Sequence, residues 1–125
     1  MELKKRVLII DDSAYVRKVL SQILSQSPGL DVVGSARDGM EALEMVEELK
    51  PDVLTLDLMM PNMDGFQFRD EQRKQPELSS IPVAVITADG NAQAKATVLD
   101  AAGFLRKPIK IQPLLDLVER ILGKP

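Results

Sequence analysis

Short runs of consecutive apolar residues alternate along this chain with stretches where apolar residues return every third or fourth position. The runs are Val7–Ile10, a weak one at Val32–Val33, Val53–Leu56, Val83–Ile86 and Phe104–Leu105. Near-continuous Val, Ile and Leu, without in-and-out alternation, mark strands buried on both faces of a parallel sheet. Between them, Val16, Val19, Leu20, Ile23 and Leu24 keep helical spacing, with Ser13 as N-cap and Pro28-Gly29 as the stop. Asp38-Gly39 opens a second helix, which turns Ala42, Leu43, Val46 and Leu49 inward and ends before Pro51. A third helix is expected over about 65–75, behind a turn at Asp64-Gly65, and a fourth over about 91–101, rich in alanine and with a weak apolar stripe. The last is the clearest, with Ile111, Leu114, Leu115, Val118, Ile121 and Leu122 on one face. Five β-α units in series predict an α/β fold, an open parallel sheet with helices on both faces.

In such a sheet, function gathers where the strands end. Asp11 and Asp12 follow the first run, Asp57 ends "DVLTLD", Thr87 ends "VAVIT", and Lys107 closely follows the fifth run in "GFLRKP". Only the second run, ending in Gly34-Ser35, contributes no chemistry. Three carboxylates, a hydroxyl and an ammonium are thus expected on one edge of one sheet. Crowded carboxylates repel unless a positive charge sits among them.

Composition narrows what that charge is. The chain has 125 residues, no histidine and no cysteine. Disulfides, thiolate metal sites, a Ser-His-Asp hydrolase, histidine-held zinc and a phosphohistidine on this chain are all excluded. An all-oxygen ligand set points to a hard divalent cation, Mg²⁺ with Mn²⁺ as a substitute. Lys107 supplies a point charge suited to a phosphoryl oxygen, and Thr87 a hydroxyl donor. The site is built to place a phosphoryl group on a carboxylate. A net charge of −3 with one short basic cluster, Lys4-Lys5-Arg6, gives nucleic-acid binding no support. No apolar run approaches the roughly 18 residues of a membrane span. The apolar patch after the basic start is too short for a secretory signal, so the expected location is cytoplasmic.

The stretches "LIIDDS", "DVLTLDLMMPNMDG", "VAVITA" and "FLRKP", in this order and spacing, resemble the receiver domains of two-component response regulators, of the CheY type. The resemblance covers nearly the whole chain. The first half is similar to receivers of chemotaxis methylesterases, and "RKQPELSSIPVAVITA" to stand-alone receivers. It implies a flavodoxin-like (βα)5 sandwich with strand order 2-1-3-4-5. It also implies a response regulator that takes a phosphoryl group onto Asp57 from a phosphohistidine on a histidine kinase or histidine phosphotransfer protein. Asp12 would bind Mg²⁺ directly, Asp11 through water, and Asp57 and the backbone carbonyl of Met59 would complete the ligands. Lys107 and Thr87 would hold phosphoryl oxygens, Phe104 would be the aromatic switch, and Lys107-Pro108 would be a cis peptide. The expected output is a downstream protein bound by the fourth-helix, fifth-strand and fifth-helix face. The chain is expected to be one receiver over residues 1–125 without an output domain, monomeric or dimerising on phosphorylation. It would catalyse its own phosphorylation and dephosphorylation and act on no separate substrate.

Some positions depart from the receiver pattern. The stretch from Thr87 to Lys107 is about two residues short, with Asp100-Ala101-Ala102 where "GA" is common. Arg69 and Gln72 stand where leucines are expected, and Arg69 reads as a solvated helix residue. Phe104 reads as an ordinary core aromatic, whether or not it moves. Met59 and Asp89 occupy the two positions that tune dephosphorylation in receivers. Rival readings fare worse. A haloacid-dehalogenase-like enzyme needs an acid where Met59 stands, and a flavodoxin needs a phosphate loop where Asp11-Asp12 would repel the ligand. A receiver reduced to an interaction module has no reason to keep every acid.

Overall fold

The computed structural model describes residues 3–123. Five strands, β1 (Lys5–Ile10), β2 (Leu30–Ala36), β3 (Val53–Leu56), β4 (Val83–Thr87) and β5 (Gly103–Arg106), form one parallel sheet in the order β2-β1-β3-β4-β5. Five helices alternate with them: α1 (Ala14–Ser25), α2 (Gly39–Leu49), α3 (Gly65–Arg73), α4 (Ala92–Val98) and α5 (Ile111–Ile121). This is the flavodoxin-like arrangement of CheY-type receivers, with the expected strand order.

The apolar runs become central strands because helices cover the sheet on both faces. Val7 to Ile10 are buried, as are all residues of β3 and β4. Alternate residues divide between two cores. Leu8, Ile10, Leu54, Leu56, Val83 and Val85 pack with Ala42 and Val46 of α2, Phe68 of α3, and Ala96 and Leu99 at α4. Val7, Ile9, Val53 and Ile86 pack with Leu20, Ile23 and Leu24 of α1 and with Leu114 and Val118 of α5. The helix starts follow the polar caps read from the sequence. Ser13 Oγ accepts from Val16 N at 3.2 Å, Asp38 from Glu41 N at 2.9 Å, and Asp64 from Gln67 N at 2.8 Å in a reciprocal capping box.

Two elements differ from expectation. β2 spans seven residues rather than the two of the weak run. It is an edge strand and only its ends are buried, so a pattern tuned to doubly covered strands sees little of it. α4 ends at Val98 instead of about 101, because Asp100 turns left-handed (φ 53°) and Ala101 N bonds back to Ala96 O at 2.9 Å.

Candidate functional site

Parallel strands bring their carboxyl ends to one edge, and the ladder runs on past them. Asp11 N donates to Ala36 O at 3.0 Å and Asp57 N to Ile10 O at 2.9 Å, so both acids are fixed by backbone bonds at the tips of β1 and β3. Asp11 and Asp57 are buried, while Asp12 is exposed. Carboxylate oxygens of the three lie within 4.8 Å of one another.

Lys107 reaches this cluster from beyond β5. Its Nζ lies 3.0 Å from Asp11 Oδ2 and 3.4 Å from Asp57 Oδ2. Its backbone N donates to Thr87 O at 2.8 Å, and its peptide bond to Pro108 is cis. Thr87 is fully buried, and its Oγ1 accepts from Asp89 N at 3.3 Å. Met59 N donates to Asp57 Oδ1 at 3.4 Å, and the Met59 side chain projects into solvent.

The electrostatics follow from burial. Desolvation pushes the Asp57 carboxyl above its ordinary range, the charge of Asp11 pushes the same way, and Lys107 partly opposes both. Desolvation pulls Lys107 down, but its close contacts with the Asp11 and Asp57 carboxylates outweigh it, so its ammonium stays charged well above neutral pH. One ammonium thus offsets part of the repulsion among three carboxylates. Asp11 Oδ2 is buried and lacks an aligned hydrogen bond, although Nζ stands close enough for an ion pair. An under-coordinated buried oxygen, beside two further carboxylates and without nitrogen or sulfur donors, fits a hard divalent cation.

The structure brings Asp11, Asp12, Asp57 and Lys107 together, with Thr87 at the neighbouring strand tip. Phe104 corrects the expectation of a core aromatic: it is 36% exposed. It sits on edge strand β5 and lines an open groove of about 600 Å³ over the β5 edge, between Gln93 and Ala96 of α4 and Leu117 and Arg120 of α5. Arg69 corrects the expectation of a solvated residue, since it is 6% exposed, and Gln72 beside it is fully buried. Arg17 was not anticipated. From α1 its guanidinium donates to the Asp11 carbonyl at 2.8 Å and braces the turn that carries both acids. Its helical spacing from Ser13 was visible, but nothing in the pattern aimed it back at the strand tip.

Comparison with known proteins shows the family and the fold. The family model described as the response regulator receiver domain matches residues 7–119. A protein-glutamate methylesterase/protein-glutamine glutaminase of Pyrococcus abyssi is 44% identical over 125 residues, covering 97% of this chain and 34% of the relative. The chain spans about a third of the length of the curated relatives it matches. Among solved structures, the response regulator domain of Thermotoga maritima CheB superposes with a TM-score of 0.80 at 36% identity, covering 94% of this chain and 93% of that one. A chain of the CheX-CheY-BeF3-Mg complex from Borrelia burgdorferi gives a TM-score of 0.87 at 29% identity, covering 98% of this chain and 92% of that one.

Proposed function

Because the chain belongs to the response regulator receiver domain family, we propose that it is a phosphorylation switch whose acceptor is Asp57. The donor is a phosphohistidine on a histidine kinase or histidine phosphotransfer protein. The P–N bond to the imidazole breaks and a P–O bond to an Asp57 carboxylate oxygen forms, leaving the imidazole with the donor. The observation that carries this reading is the placement of Asp57: a buried carboxylate at a strand tip, 3.4 Å from a lysine and grouped with two further acids.

Each residue has a task in this reading. Asp11, Asp12, Asp57 and the Met59 carbonyl would hold Mg²⁺, which when bound would screen the negative charge shared by acceptor and phosphoryl group. Lys107 pairs with one phosphoryl oxygen, and the Thr87 hydroxyl donates to another. As Thr87 turns toward the phosphoryl group, Phe104, on the neighbouring strand, moves with it and reshapes the face of α4, β5 and α5. A downstream protein reads that face, and the chain acts on no separate substrate. The methylesterase relatives favour a chemotaxis setting, with residues 1–125 acting as one receiver unit, monomeric or pairing on phosphorylation, in the cytoplasm.

Intact mass after incubation with acetyl phosphate tests the acceptor. Wild type is expected to gain one phosphoryl group, about 80 Da, only with Mg²⁺, and Asp57→Asn is expected to gain none. Folded wild type that gains nothing with Mg²⁺ would refute the switch.

A further inference from the structure

Arg69 is a buried cation at a helix position where the receiver pattern has leucine. Its partners are not carboxylates. Nε donates to Leu99 O at 3.0 Å, Nη2 to Asp100 O at 3.0 Å, and Nη1 to Gln72 Oε1 at 2.8 Å. Gln72 in turn donates to Leu78 O and Ile81 O, just before β4. Arg73 adds a second bond to Leu99 O at 2.9 Å. Burying a guanidinium without a paired carboxylate is unfavourable, and desolvation holds its pKa below the ordinary value. The return is geometric: the free carbonyls at the end of α4 are held by α3.

α4 has little else to hold it. Only Ala92 and Ala96 are buried within its seven residues, and its amino end lacks a side-chain cap. An Asp89–Lys95 ion pair spans that end. At its other end α3 is locked to the acceptor. Gly65 N donates to Leu58 O at 3.1 Å, and a Cβ there would stand 2.8 Å from Leu58 Cα and 2.9 Å from Asp57 O. Arg69 lies one helical turn later, about 6 Å along a hydrogen-bonded rod. Beyond Asp100, Ala102 N bonds Val83 O at 2.8 Å and β5 begins.

We propose that Arg69 is a positioning residue that links the Asp57 loop, through α3, to the carboxyl end of α4. It gives the output face a second connection to the acceptor, independent of Thr87 and Phe104. The inference rests on Asp57 being the acceptor. Displacement of the Asp57–Leu58 backbone on phosphorylation moves Gly65 and α3, and the guanidinium carries that movement to Leu99 and Asp100. A part that only stabilised the fold would not make the α4–β5 turn respond to the phosphoryl group.

Hydrogen exchange by mass spectrometry, with and without acetyl phosphate and Mg²⁺, separates these roles, with phosphoryl load followed by intact mass. In wild type, exchange at the amides of residues 99–102 is expected to change by about threefold or more on phosphorylation. In Arg69→Leu that phosphorylation-dependent difference is expected to vanish, while phosphoryl load and the response near Thr87 persist. Arg69→Lys, which keeps the charge and reaches one carbonyl, is expected to recover part of it. An undiminished difference in Arg69→Leu overturns the proposal. So does phosphorylated wild type without a response at 99–102, a result that needs no variant to fold. Absence of phosphoryl gain by wild type overturns the acceptor reading itself, and the mass measurement separates that failure from the others.

Discussion

Asp57 is the residue where burial and charge work against each other most directly. Desolvation and the neighbouring Asp11 raise its carboxyl pKa, and Lys107 offsets only part of this. Between an unfolded value near 3.9 and the higher folded value, the native state holds the extra proton. Stability contributed by this group therefore falls as pH rises through that window and stays reduced above it. Asp57→Asn is expected to raise the thermal midpoint by a few degrees at neutral pH without divalent cation. The gap should narrow as pH falls toward about 4, and saturating Mg²⁺ should close it by stabilising wild type. Calorimetry across pH decides: a lower midpoint for the variant would mean that contact with Lys107 outweighs desolvation. The acids, Thr87 and Lys107 were legible in the sequence because each closely follows an apolar run, and chain direction fixes which end of a parallel strand carries chemistry. Arg69 was not. A charged residue on a polar helix is normally solvated, and only the folded chain shows five carbonyl and amide oxygens accepting from Arg69 and Gln72.

Among the elements, α2 shows how tightly the helices are tied to the loops of the site. Gly39 N donates to Met63 O at 3.1 Å, and a Cβ at Gly39 would meet Met63 side-chain atoms at 2.6–2.7 Å and the Met63 carbonyl at 2.7 Å. Alanine is the better helix former by about 1 kcal/mol, yet overpacking against backbone costs about 1–3 kcal/mol. Gly39→Ala is therefore expected to be net destabilising by roughly 1 kcal/mol. Urea unfolding measures it, and a gain in stability would show that the loop after β3 yields freely. The elements missed or misjudged share one cause. β2 lies at a sheet edge, so its apolar content is low, and α4 was extended through alanines whose propensity is overruled by a left-handed Asp100 and by capping from another helix. Propensity and local pattern carry no information about such distant partners.

At the scale of the whole molecule, the strand order follows from continuous apolar runs in series, and two cores on opposite faces leave a single sheet edge for chemistry. The helices on one face tie that edge to the groove beside β5. The helices on the other face put the chain's one tyrosine at its rim. Tyr15, in the first turn of α1, is 76% exposed and lines a small hollow with Lys107, Pro108 and Ile109. The chain has no tryptophan. Its tyrosine emission, unmasked by tryptophan, therefore comes from one ring, three residues past Asp12 and across from the lysine that answers the site's charge. The protein carries its own optical indicator, and titrating it with Mg²⁺ should shift tyrosine emission along a single saturating curve that Asp12→Asn displaces to higher concentration.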